Sequence, residues 1–77
     1  MAENYKMSVI KSAQTRGKKF KIELQKDFLS YRVVEFINGL QRACYCTPDL
    51  IDALHRYTDK CNGARYYDGI NYIETSI

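Results

Sequence analysis

Residues 19–25, KFKIELQ, constrain the fold more than any other stretch of this chain. Phe20, Ile22 and Leu24 alternate with Lys19, Lys21, Glu23 and Gln25. A period of two with one apolar face describes a strand buried on one side only. Such a strand needs a neighbour on its edge and a covering layer on its apolar face. Residues 5–10, YKMSVI, offer the neighbour, with Tyr5, Met7 and Val9 in phase. The intervening SAQTRGKK is polar, and its Gly17 suits a turn. The expectation is an N-terminal antiparallel hairpin with a basic tip and a basic outer face.

The covering layer is clearest at residues 48–61. Thr47 is placed as N-cap, Pro48 as the first helical residue, and Asp49 beside the positive end of the helix dipole. Leu50, Leu54, Tyr57 and Cys61 make the expected buried stripe, with Ile51 beside it, and Asn62-Gly63 supplies a stop. Residues 28–45 admit two readings. Leu29, Val33, Phe36, Ile37, Leu40 and Cys44 fall at helical spacing behind Asp27 as a cap, whereas YRVVEFI followed by Asn38-Gly39 spells a hairpin. The helical reading is preferred, because Val33, Val34, Phe36 and Ile37 break strand alternation. Asp68-Gly69, within residues 64–74, is a further hairpin signal. The sum is a single α+β domain over residues 1–77: an N-terminal antiparallel β-hairpin packed on one or two helices, closed by a C-terminal strand or hairpin.

At 77 residues the chain buries a modest share of its surface, about 60% for a domain near this size. A metal, a disulfide or a partner chain would help such a core. No stretch approaches the ~20 apolar residues of a membrane span, and MAENYKMSVIK has no signal-peptide apolar run. Three cysteines are an odd number, which argues against a secreted disulfide framework. The expected compartment is the cytoplasm.

All three cysteines and the one histidine lie within CYCTPDLIDALHRYTDKC, residues 44–61. Cys44, Cys46, His55 and Cys61 are a chemically valid zinc set. Their C-x-C-x8-H-x5-C spacing departs from the usual C-x2–4-C knuckle, and His55 and Cys61 stand about 240° apart on a helix. Thiols acting as small apolar residues are the preferred reading, with no metal and no cofactor. Catalysis is not expected, because no nucleophile–base pair, phosphate loop or carboxylate pair is legible. His55 lies between Asp52 and Asp59, as on a solvent-facing helix flank.

Two binding readings remain. Residues 1–26 carry seven basic and two acidic side chains, a balance of +5, against −2 for residues 27–77. Lys6, Arg16, Lys18, Lys19 and Lys21 on a ribbon can track phosphates, with Tyr5 or Phe20 as stacking rings. The alternative uses tyrosine, of which there are seven. Tyr66 and Tyr67 with Arg65, flanked by Arg32 and Arg42 if residues 28–45 are helical, make a contact patch for a larger protein, and Tyr72 and Ile73 either extend it or close the core. The terminal TSI matches a peptide-groove pattern, and YRVV and YDGI have the shape of tyrosine sorting signals; motifs so short match by chance. The preferred function is a small non-enzymatic protein-binding module, an adaptor or inhibitor of the size common among virus- and phage-encoded modulators. Nucleic-acid binding is the alternative, a zinc-stapled binder the minor one, and a second copy of the chain is also an admissible partner.

Overall fold

The computed structural model describes residues 8–15, 17, 19–68 and 72–76, with residues 64–68 and 72–76 described by backbone alone. Strands β1 (Ser8–Thr15), β2 (Phe20–Lys26), β3 (Tyr31–Ile37) and β4 (Leu40–Thr47) precede helix α1 (Leu50–Asp68), and β5 (Tyr72–Ser76) follows it. Every neighbouring pair is antiparallel, in the order β4-β3-β2-β1-β5. The chain thus leaves the β4 edge, crosses one face as α1, and returns at the opposite edge as β5. The result is a small α+β fold in which an antiparallel sheet packs against one helix.

Alternation sorts the sheet's side chains. On the helix side, Ala13, Ile22, Leu24 and Val33 form a continuous core with Ala53 and Tyr57 of α1. Tyr31, Tyr45, Leu54 and Cys61 pack around it. Lys60 of α1 reaches Glu35 of β3 at 3.4 Å, and Lys11 of β1 stands over the Tyr57 ring at 5.6 Å. The clean alternation of KFKIELQ puts β2 in the middle of the sheet.

Residues 28–45 are not helical. They form β3, a two-residue turn, and most of β4. Asn38 and Gly39 both take positive φ, 54° and 84°, the geometry that a tight hairpin with right-handed strand twist demands. The misleading feature is burial on both faces: Val33 is buried under α1 while Val34 is buried on the other side. Arg42 is an extra residue in β4, since Glu35 pairs with Ala43 and Phe36 with Gln41. This bulge interrupts the edge strand, which discourages uncontrolled edge pairing.

Other boundaries shift for local reasons. The first strand begins at Ser8 and runs through SAQT, which looked like a link; Tyr5 and Met7 lie outside the described residues. Ala13 and Thr15 are the inward residues of that stretch, opposite Ile22 and near Phe20, and both are buried. Small side chains fit where the sheet meets the core, and Thr15 Oγ1 accepts the Phe20 N–H at 3.3 Å. The cap of α1 is Asp49 rather than Thr47. Its Oδ1 accepts the Ile51 N–H at 3.1 Å and its carbonyl accepts Ala53 N–H at 3.0 Å. Thr47 instead holds Asp49 N–H on its hydroxyl at 3.2 Å. The helix also runs through Asn62-Gly63 and ends only at Asp68, so Asp68-Gly69 is not the turn of a hairpin. Gly63 costs about 1 kcal/mol there relative to alanine, too little to end a helix docked on a sheet.

Candidate functional site

The ladders fix what lies at each end of the sheet. Tyr31 pairs with Thr47 and Lys26 with Tyr31, so the β2–β3 turn and the β4–α1 junction share one end. The β3–β4 turn and the start of β2 lie at the other, tied by a hydrogen bond from Asn38 N–H to the Lys19 carbonyl at 2.7 Å.

At the first end the chain exposes four large apolar side chains. Phe28 is 80% and Leu29 79% exposed in the β2–β3 turn, while Ile51 is 59% and Leu50 39% exposed at the start of α1. Both segments are anchored by backbone. Asp27 N–H donates to the Ser30 carbonyl at 2.8 Å, and the Asp27 carboxylate accepts Phe28 N–H. The Asp49 cap holds the other segment. Leu29 and Leu50 were expected in buried stripes, with Ile51 beside one, and they are corrected here to surface positions: α1 turns Ala53 and Tyr57, with Leu54 and Cys61, toward the sheet. Two large apolar residues in the middle of a four-residue turn, DFLS, are the signal that sequence reasoning passed over. Turn positions ordinarily carry Gly, Asn, Asp or Ser.

Beside this apolar end, Tyr45 O–H donates to Asp52 Oδ2 at 2.7 Å, and the Arg56 guanidinium lies 4.3 Å from the Tyr45 ring centre. The hydrogen bonds from Tyr45 and then Thr47, aided by the charges of Arg56 and His55, hold the Asp52 carboxyl below its ordinary value. A depressed carboxyl pKa stabilises the fold above the unfolded value, about 3.9. That contribution is lost as pH falls through the folded value. Asp52→Asn is therefore expected to flatten the acid limb of a stability–pH profile below about pH 5, as measured by urea unfolding, while leaving the neutral-pH fold intact.

Of the residues singled out from sequence, the described side chains of Arg32 and Arg42 lie apart. Arg32 lies on the sheet face away from α1, opposite Cys46 and Gln25, with its Nη2 donating to Gln25 Oε1 at 3.3 Å. Arg42 is exposed at the β4 bulge, toward the other end. Arg65, Tyr66 and Tyr67 fall in the last turns of α1 and Tyr72 and Ile73 in β5, all described by backbone alone. The flanking geometry assumed for Arg32 and Arg42 required a helix over 28–45 and is withdrawn with it. Of the basic set, Lys6, Arg16, Lys18 and the stacking candidate Tyr5 lie outside the described residues. Lys21 pairs with Glu23 at 3.1 Å and stands over the Phe36 ring at 4.8 Å. Lys19 stands over Phe20 at 5.5 Å, and that ring is buried, not free to stack.

The four candidate zinc ligands are separated by the sheet. Cys44 and Cys46 are exposed on the face away from α1, Cys61 packs toward the core from α1, and His55 is exposed on the helix. Among the described residues no group of three or more His, Cys, Asp or Glu could hold a metal. Partial desolvation, then the neighbouring Cys46, pushes the Cys44 thiol up, which makes it a poor nucleophile at neutral pH. No family model, curated protein or solved structure matches the chain. Among the described residues no helix is long and apolar enough to cross a membrane.

Proposed function

We propose that this chain is a non-enzymatic protein-binding module, an adaptor or inhibitor, that docks on a larger protein through the apolar end formed by Phe28, Leu29, Leu50 and Ile51. The observation that carries this reading is the exposure of four large apolar side chains on two backbone-anchored segments at one end of the sheet. Clustered exposed apolar surface marks interaction sites, whereas single exposed residues do not. Rigid presentation lowers the entropic cost of docking, and a central aromatic anchor such as Phe28 is the usual centre of interface energy. The tail residues Arg65, Tyr66 and Tyr67 are described by backbone alone, so the proposal rests on the turn and the start of α1. For nucleic acid, Lys19 and Lys21 remain among the described residues, and Glu23 already balances Lys21.

The test compares two double variants. Phe28→Ser with Leu29→Ser is expected to leave stability within about 0.5 kcal/mol, as exposed positions do, while abolishing retention of the cognate protein on immobilised chain. Lys19→Ala with Lys21→Ala is expected to retain it, and added salt to weaken it little. Loss of binding in the lysine variant alone, or copurified nucleic acid released with a log–log salt slope of about −0.9 per phosphate, would transfer the function to the basic ribbon.

A further inference from the structure

The face of β4 turned away from α1 carries Cys44 and Cys46. Residues i and i+2 of a strand point to the same side, and the two exposed sulfurs lie 3.8 Å apart. Among the described residues strand β4 has a neighbour on one side only, so an additional ligand can approach the pair without displacing described backbone. A guanidinium shares this face. Arg32 sits opposite Cys46 in the ladder, and its charge acts on Cys44. Its Nε is buried and has no hydrogen-bond partner among the described residues.

Two neighbouring thiols can close a disulfide or share an ion. A disulfide needs Cβ atoms about 3.8 Å apart. Residues i and i+2 of an extended strand are separated by about 6.6 Å, with side chains projecting alike, so closure would break the extended backbone of β4. A shared ion needs no such change. Metal–thiolate bonds of about 2.3 Å at trigonal or tetrahedral angles place two sulfurs about 3.8–4.0 Å apart, the separation already present. Soft thiolates select monovalent copper and zinc. Structural zinc takes four protein ligands, and no third His, Cys, Asp or Glu joins this pair among the described residues. Monovalent copper takes two or three sulfur ligands. With two it is near-linear and would spread the sulfurs to about 4.6 Å at bonds of about 2.3 Å. The present 3.8 Å fits the three-coordinate case, with a neutral exogenous donor in the third position.

We infer that Cys44 and Cys46 form a surface dithiolate site for Cu(I), with the Arg32 guanidinium balancing its charge. Both thiol protons pass to solvent on binding, as metal–thiolate formation requires. Two thiolates and one Cu(I) leave a net charge of −1, which Arg32 offsets. No electron is transferred, and the site is independent of the protein-docking end.

Anaerobic titration of the reduced full chain against Cu(I) held by the chromophoric chelator bicinchoninate tests the site. The chain is expected to withdraw one equivalent. Cys44→Ser and Cys46→Ser should each lose this, while Cys61→Ser retains it. Arg32→Gln should keep the stoichiometry and weaken affinity about tenfold or more, as loss of a supporting neighbour does. Far-UV circular dichroism on every variant separates ligand loss from unfolding, and serine at two exposed positions leaves the core untouched. A wild-type chain that leaves the chelator complex intact, or a double Cys44→Ser, Cys46→Ser variant that withdraws copper as well as the wild type, would overturn the site. Unchanged affinity in Arg32→Gln would overturn the role given to the guanidinium.

Discussion

Ile22→Ala is expected to lower the unfolding free energy by about 3 kcal/mol, within the ~2–5 kcal/mol span of buried isoleucine truncations. Leu29→Ala is expected to change it by less than about 0.5 kcal/mol. Ile22 is fully buried on the central strand, between Ala13 and Glu35 in the ladders and beneath Ala53 and Tyr57. Truncation there leaves a cavity between sheet and helix that neither layer can fill without moving the other. A chain of 77 residues has a total stability of about 4–12 kcal/mol at ~0.05–0.15 kcal/mol per residue, so this one side chain accounts for at least a quarter of it. Urea midpoints for the two variants check the contrast. It is sharp because a helix over residues 28–45 would bury Leu29 in its apolar stripe. A large loss at Leu29 with a small one at Ile22 would restore that helix and remove the sheet.

The two strongest local patterns, strict alternation in KFKIELQ and a helix after Pro48, were legible in the sequence, and they suffice for the α+β class. Residues 31–37 were not legible by periodicity, because Val33 and Val34 are buried on opposite faces and leave no clean polar side. Val33 and Val34 side by side imitate the crowding of a helix stripe. Turn chemistry carried the better signal there: Asn38-Gly39 occupies two consecutive positive-φ positions, which a helix interior has no use for. At Asn62-Gly63 the same chemistry misled, since a helix docked on a sheet tolerates one glycine. Turn dipeptides therefore need the tertiary setting to be read correctly.

The candidate sites depended on that one misassigned stretch. With residues 28–45 helical, Cys44 would lie at a helix end and Cys46 in the link before α1, and no shared face follows. On a strand they share a face, and the sulfurs meet at 3.8 Å. Phe28 and Leu29 are apolar letters indistinguishable from core until β2 and β3 are known to pair directly through a four-residue turn. Exposure is a property of the assembled fold, so the exposed apolar end emerges only when the register places the β2–β3 turn and the β4–α1 junction at one pole.

Val34→Asp is expected to unfold the domain or cost more than about 4 kcal/mol, the exceptional range reserved for buried charge. Val34 lies on the face away from α1, where a two-layer fold ordinarily meets water, yet it is only 1% exposed. Its neighbours across the ladders are Glu23 and Cys44, with Arg32 and Phe36 two residues away on its own strand. A polar chain runs alongside: Lys21 to Glu23 at 3.1 Å, Gln25 Nε2 donating to Glu23 Oε1 at 2.8 Å, and Arg32 donating to Gln25. Long arms with paired ends can seal apolar surface beneath them. An aspartate at 34 would lose its hydration there and face the Glu23 carboxylate directly, a like-charge cross-strand pair. Val34→Thr, of the same shape, should cost about 1–3 kcal/mol for its buried hydroxyl and should still fold, which separates desolvation from shape. Thermal melts followed by circular dichroism read all three chains. A Val34→Asp loss below about 1 kcal/mol, typical of exposed positions, would mean that water reaches this face freely. It would then compete with the apolar end as a docking surface. The expected large loss instead assigns the part of this face around Val34 to stability.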